Sequence, residues 1–144
     1  MLFQNILLPI DINDSNSWEK TLPTCISILK LNPEAKLWFL AVIPNFGLGD
    51  VIEEYFPKGW LKDVSEKTLI ELQKIVENHL PHGIKPNLLV DRGVVYQVIL
   101  DTALKLEVDL IVMSSNHPNR KDYLLGPNVA RVARHAESSV LIRR

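Results

Sequence analysis

The sequence predicts a doubly wound α/β fold built on a parallel sheet. Short, fully apolar runs alternate along the chain with longer segments whose apolar residues recur at helical spacing. Strands that are apolar on both faces are typical of parallel sheets covered by helices on both sides. Right-handed crossovers then favour five parallel strands in the order 3-2-1-4-5. We expect residues 1–144 to form a single domain, since this length suits one hydrophobic core.

The individual elements follow from apolar runs bounded by turn residues. The predicted strands are Asn5–Ile10, Lys36–Ile43, Asn87–Asp91, Asp109–Met113 and Ser139–Ile142. The predicted helices are 18–31, 61–80, 94–106 and 128–135. The connection from 45 to 60 is rich in glycine, proline and aromatic residues, and a connection this long is usually functional or mobile.

Two of these helices carry local signals that the structure can check. Asn16 and Glu19 have the spacing of a capping box at the start of the first helix. Pro23 should bend that helix or delay its start, because proline lacks a backbone N–H. The inner side of the second helix is expected to carry Val64, Leu69, Leu72, Ile75 and Val76.

Composition excludes several functional classes. Apolar residues make up 47% and charged residues 23%, as in ordinary globular proteins. A formal net charge of −1 provides no basic field for nucleic acid or an anionic membrane. Neither a signal peptide nor an apolar run of membrane-spanning length is evident. The single cysteine, Cys25, suits a reducing compartment and a buried core position, so we expect a soluble cytoplasmic protein.

Polar residues follow the predicted first and fourth strands, where ligands bind in doubly wound sheets. Asp11 comes directly after the first strand, and the loop beginning at Ser114 leaves the fourth. Gly126 then opens a helix whose free backbone N–H groups and dipole could receive a phosphate. The same spacing is also typical of an ordinary solvated loop with a glycine at the helix start, so both interpretations stand.

Other candidate sites have weaker support. His79 and His82 flank Pro81 at a helix end, and the spacing supplies no further metal ligands. No nucleophile–base pair is visible in the sequence. We therefore expect that the protein is not an enzyme and does not catalyse a reaction efficiently. Asp14 is expected to belong to the turn before the first helix.

Several segments together resemble the universal stress protein family. They are Ile6-Leu-Leu-Pro-Ile-Asp, Gly93-Val-Val-Tyr-Gln-Val-Ile, Asp109-Leu-Ile-Val-Met-Ser-Ser-Asn-His-Pro, and the stretch from Asp122-Tyr-Leu-Leu-Gly-Pro-Asn to Ser139-Val-Leu-Ile-Arg. The resemblance covers essentially the whole chain and is most specific in its C-terminal half. The chain most resembles the bacterial single-domain branch whose loop begins Ser-His-Arg-Pro and which includes partners of substrate-uptake transporters.

The chain departs from the ATP-binding motif of that family, G-x2-G-x9-G-S/T. Counted back from Gly126, the first two glycine positions fall on Met113 and Asn116. Counted forward from the strand, they fall on Ser114 and His117. Pro127 replaces the hydroxyl residue and removes up to two phosphate donors, which could weaken binding by about ten- to a thousandfold.

The resemblance nevertheless implies an adenine-nucleotide site, for ATP or AMP, with Mg²⁺ only alongside the nucleotide. Asp11 would contact the ribose or a metal, and the backbone at Val42 would meet adenine. Gly126, Asn128 and the loop after the fourth strand would hold phosphate. The implied site residues are Pro9, Asp11, Val42, Met113, Ser114, Ser115, Asn116, His117, Gly126, Asn128 and Val129.

Two functions remain open at this point. The first is a regulatory protein of the stress response that binds an adenine nucleotide. The alternative is a nucleotide-independent interaction module, associated with a transporter or another protein partner. Both imply a homodimer, because Ser139–Ile142 would be an apolar edge strand, and the family pairs this strand across a two-fold axis. Nucleic acid and membrane insertion are not expected.

Overall fold

The computed structural model describes residues 3–45, 56–115 and 126–144. The strands are β1 (Asn5–Ile10), β2 (Lys36–Pro44), β3 (Pro86–Gly93), β4 (Leu110–Ser114) and β5 (Ser139–Arg143). The helices of the described ranges are α1 (Thr21–Leu31), α2 (Trp60–His79), α3 (Val95–Lys105) and α4 (Gly126–His135), with a short 3-10 turn at Ser15–Ser17 before α1.

The five strands form one parallel sheet in the order β3-β2-β1-β4-β5, which confirms the predicted topology. β1 lies at the centre, and its side chains alternate between the two faces. Leu8 belongs to a core cluster that α1 and α2 cover, whereas Leu7 belongs to the cluster covered by α3 and α4. Both leucines are completely buried. Burying such a side chain contributes roughly 1.5–3 kcal/mol, so the apolar strand is stabilised from both sides.

Most predicted boundaries agree with the structure within about two residues, but three local expectations need correction. The capping box is wrong: Asp14, not Asn16, caps the 3-10 turn, and the N-cap of α1 is Lys20 with no side-chain cap among the described residues. The first helix begins at Thr21 and not at 18. This later start agrees with the delay that Pro23 predicted. Pro23 therefore lies in the first turn, where its missing N–H costs no intrahelical bond.

The third correction concerns the inner side of α2. Leu69 was expected there but is 41% exposed, and Thr68 is buried in its place. The Thr68 hydroxyl donates to the carbonyl of Val64 at 2.7 Å, which gives this buried hydroxyl a hydrogen-bond partner. Leu72 and Val76 are buried as predicted.

Cys25 is a fully buried free thiol in the core beneath α1. Burial raises the pKa of the thiol to about 12, because the apolar surroundings disfavour the thiolate. This confirms the expected structural role. Among the described helices, none combines the length and apolar character needed to cross a membrane.

Candidate functional site

The described pairing between β1 and β4 ends before the carboxyl ends of the two strands. β1 pairs with β2 at six consecutive positions, from Asn5 to Ile10. Its described pairs with β4 are only Ile6 with Leu110 and Leu7 with Ile111, both near the amino end. Beyond them lies Pro9, which has no backbone N–H to donate to a neighbouring strand. Pro9 thus lies past the last described β1–β4 pair, at the point where strand order reverses and where doubly wound sheets have their ligand crevice.

Asp11 lies at the β1 side of this crevice and is only 7% exposed. Its backbone is held by Ser17: the Asp11 N–H donates to Ser17 Oγ at 3.0 Å, and that hydroxyl donates back to the Asp11 carbonyl at 3.2 Å. The carboxylate oxygen Oδ1 accepts the N–H of Asn13 at 3.0 Å. These bonds fix the position and direction of a buried carboxylate at the end of the strand.

The turn after Asp11 is organised by a second buried carboxylate. Asp14 is 8% exposed, and its Oδ1 accepts the N–H of Asn16 at 3.0 Å. The Asp14 N–H in turn donates to the Asp11 carbonyl at 3.0 Å. Asp14 therefore shapes the loop that leads from β1 to α1, as predicted, and helps to hold Asp11 in place.

The β4 side of the crevice ends in two serines. Ser114 is buried, and its hydroxyl donates to the Ser115 carbonyl at 3.4 Å. The N–H of Ser115 donates to the carbonyl of Arg143 at 2.9 Å, which ties this turn to the end of β5. Met113 and Val129 are buried in the core cluster under α3 and α4, so their side chains pack in the core.

The carboxyl ends of β2 and β3 lie next to each other in the sheet. Val42 is half-buried and packs against the cluster under α3 and α4. The N–H of Asn45 donates to the carbonyl of Gly93 at 3.3 Å, which joins the two strand ends. Gly93 has a φ of 147°, and a Cβ there would approach Cγ2 of Val98 to 2.9 Å. This position therefore requires glycine.

Helices α3 and α4 begin side by side at the same edge of the sheet. The N-cap of α3, Val94, provides no side-chain hydrogen bond among the described residues. Instead Asn128, from the first turn of α4, accepts the N–H of Tyr96 with its Oδ1 at 3.1 Å. One turn later the Arg131 guanidinium lies 4.9 Å from the centre of the Tyr96 ring, a cation–π distance. Asn128 thus has a structural role that the sequence did not reveal.

The predicted site residues therefore divide into three groups. The strand ends bring Pro9, Asp11, Val42, Ser114 and Ser115 to the carboxyl edge of the sheet, and α4 brings its first residues, Gly126 and Asn128, to the start of α3. Met113 and Val129 belong to the core. Asn116 and His117 lie outside the described residues, as does the rest of the loop up to Leu125.

Sequence reasoning missed Ser17, Tyr96 and Arg131, which position the site residues from nearby. Ser17 was part of a polar stretch, and nothing in its spacing distinguished it from its neighbours. At the end of α2, His79 Nδ1 lies 2.8 Å from the Ile75 carbonyl of the same helix. Across residues 3–45, 56–115 and 126–144, no cluster of three His, Cys, Asp or Glu side chains could hold a metal ion.

The sequence profile described as the universal stress protein family matches residues 2–144. The chain belongs to this family. That assignment agrees with the resemblance of the motifs at the ends of β1 and β4 and with the observed sheet order.

Solved structures of universal stress proteins share the fold. The universal stress protein UspA from Lactobacillus plantarum is 21% identical with a TM-score of 0.71, and the match covers 100% of this chain and 99% of that one. A universal stress protein from Archaeoglobus fulgidus in complex with dAMP is 17% identical with a TM-score of 0.59, and covers 100% of both chains. A universal stress protein in complex with cAMP is 17% identical with a TM-score of 0.60, covering 99% and 97%.

Proposed function

We propose that this universal stress protein binds an adenine nucleotide, ATP or AMP, in the crevice between β1 and β4 and acts as a regulator. The observation that carries this proposal is the early end of the β1–β4 pairing, which leaves the buried Asp11 at the mouth of the opening. In doubly wound sheets this switch point is where nucleotides bind. The two structural neighbours that hold dAMP and cAMP support the same ligand class.

In the proposed complex the Asp11 carboxylate accepts from the ribose hydroxyls or faces a Mg²⁺ that arrives with the nucleotide. Val42 lies at the end of β2, where its backbone would meet the adenine. Phosphate would lie toward Ser114, Ser115 and the start of α4, where the helix dipole favours an anion. Asn116 and His117 complete the proposed set from the loop.

The phosphate end of the proposed site is altered relative to the family motif. Pro127 is exposed at the first turn of α4 and offers neither a hydroxyl nor an N–H. A degenerate motif of this kind weakens the hold on a triphosphate more than the hold on a single phosphate. The dAMP and cAMP of the neighbouring structures each carry one phosphate, so we propose that AMP-like ligands bind at least as well as ATP.

We propose no efficient catalysis and a cytoplasmic setting, which suits the unpaired Cys25. A general base is needed to activate water for hydrolysis, and in the proposed complex the Asp11 carboxylate faces the ribose or the Mg²⁺ and does not act as that base. The nucleotide would therefore act as a signal that changes stability or partner binding, not as a substrate.

A homodimer through β5 forms part of the proposal. β5 is an edge strand whose Val140 and Leu141 are half-buried, while Ile142 is 38% exposed. An unpaired apolar edge favours association with a second copy across a two-fold axis. Val140→Lys should give a monomer by light scattering, with Arg144→Lys as the charge-preserving control; a dimer that survives Val140→Lys would contradict this part.

A nucleotide-independent interaction module remains the second candidate, because Pro127 stands where the family has a phosphate-binding hydroxyl. In that case the same β5 dimer would present a surface to a protein partner, such as a transporter.

Thermal unfolding with millimolar AMP, ADP and Mg-ATP, and with GTP as control, distinguishes the two. A ligand at about 100 times its Kd stabilises by roughly 2.7 kcal/mol, a shift of several degrees for this chain length. Asp11→Asn keeps the oxygen that accepts from Asn13 but removes the charge, so the adenine-specific shift should shrink. Asp63→Asn on the exposed side of α2 is the matched control. No shift with any adenine nucleotide would favour the interaction module.

A further inference from the structure

A second opening lies at the opposite edge of the sheet, along the amino ends of β2 and β3. Its volume is about 810 Å³, within the range of roughly 300–1,000 Å³ that small-molecule sites occupy. The C-terminal half of α1 forms one wall, and the connections that lead into β2 and β3 form the others. We call this opening the basal groove. The apolar residues that α1 and the two connections contribute to its lining are Ile26, Leu29, Pro33, Ala35, Pro81 and Ile84.

The apolar surface of the groove is reached from a positively charged rim. Lys30, Lys36 and Lys85 all line the groove and are exposed, and Glu34 is the one carboxylate among its lining residues. The chain as a whole carries a formal net charge of −1, so this is a local concentration of positive charge. An apolar interior with cationic groups at its edge is complementary to a molecule with an apolar body and an anionic end.

We propose that the basal groove binds a free amphiphilic carboxylate, with its alkyl chain against Ile26, Leu29 and Ile84. The carboxylate would lie toward the rim formed by Lys30, Lys36 and Lys85. Each methylene group that leaves water adds to the buried apolar surface, so affinity should rise with chain length until the groove is full. The class of ligand is therefore a straight-chain monocarboxylate of medium length.

This site is separate from the nucleotide crevice and from the proposed dimer edge. The crevice lies at the carboxyl ends of β1 and β4, whereas the basal groove lies at the amino ends of β2 and β3. β5 forms the other border of the sheet, so a dimer through β5 leaves the groove open. Carboxylate binding can therefore be present or absent whatever the outcome for nucleotides.

The test is a titration of the full chain with decanoate, followed by calorimetry and by amide NMR signals. For a ligand of this size we expect a Kd of about 1 mM or tighter. Decanoate should shift the amides of Ile26, Leu29 and Ile84, whereas decanol and decylamine should bind at least several-fold more weakly.

Charge variants supply the second arm. Lys36→Glu combined with Lys85→Glu should weaken decanoate about three- to tenfold, since each exposed ion pair contributes modestly. Lys62→Glu combined with Lys67→Glu, on exposed positions of α2 outside the groove, changes the net charge equally and should leave the affinity unchanged. The proposal is overturned by no binding at millimolar decanoate, by shifts that map elsewhere, by equal binding of decanol, or by equal losses in the two double variants.

Discussion

Asn128→Ala removes the side-chain oxygen that caps helix α3 from outside the helix. The Tyr96 N–H donates to Asn128 Oδ1 at 3.1 Å, and Val94, at the N-cap position of α3, supplies no substitute among the described residues. Loss of an Asn cap typically costs ~1 kcal/mol, with a range of about 0.5–2 kcal/mol. Asn128 is half-buried, which keeps water from replacing the lost acceptor fully. We therefore expect destabilisation by about 1 kcal/mol, or a fall in Tm of about 2–5 °C.

Asn128→Asp separates this structural role from the proposed nucleotide role. The carboxylate retains an acceptor for the Tyr96 N–H, and a negative charge near the start of α3 is favourable. Stability should therefore stay close to that of the parent protein. The same charge would repel a phosphate near the start of α4, so the stabilisation by AMP should fall more in Asn128→Asp than in Asn128→Ala.

Urea denaturation followed by circular dichroism measures the stabilities, and thermal shift with AMP measures the ligand effect. Asn78→Ala, at an exposed position of α2, is the control and should change stability by less than about 0.5 kcal/mol. The reasoning would be refuted if Asn128→Ala were as stable as the parent, or if Asn128→Asp were as destabilised as Asn128→Ala.

Three further predictions concern single positions. Gly93→Ala should destabilise by about 1–3 kcal/mol in urea, because the new Cβ meets buried Val98 at 2.9 Å and φ is 147°; a loss under about 0.5 kcal/mol would contradict this. Glu107→Gly should raise stability by about 0.5–1 kcal/mol. Exposed Glu107 follows the end of α3 with a φ of 54°, which strains the backbone of a residue that has a Cβ. An unchanged Tm would contradict that strain. Cys25 should resist a disulfide reagent at pH 8 until the protein is unfolded, whereas rapid labelling of the native protein would contradict its burial. Because burial raises the pKa of the thiol from 9.0 to about 12, its contribution to stability is complete below pH 9 and should decline as pH rises toward 12, to be checked against Cys25→Ala.

The sequence determined the architecture because each buried strand is a local apolar run. Leu7 and Leu8 face opposite sides of the sheet, and both are completely buried, which a fully apolar β1 required. The order of strands and helices followed from that pattern and from the handedness of crossovers. The buried thiol of Cys25 followed in the same way from its place in an apolar helix.

The site was determined only in part. Sequence order placed Asp11 and Ser114 at strand ends, and the parallel sheet then brought those ends to one edge. The early end of the pairing between β1 and β4 depends on how the whole sheet twists and packs, so the sequence could not give it. The capping-box prediction failed because the turn before α1 has different partners. Asp14 Oδ1 accepts the N–H of Asn16, and Ser17 Oγ accepts the N–H of Asp11.

The side-chain partners came from the tertiary structure alone. Asn128 accepts from Tyr96, which lies on a different helix, so no local pattern could connect the two. The basal groove likewise joins Ile26 on α1 with Ile84 before β3, segments that meet only when the sheet assembles. Periodicity predicts which face of a segment is buried, because apolar residues at the repeat spacing point to the same face. The partner of a particular side chain depends on residues far away in sequence, and their positions are set by the packing of the complete fold.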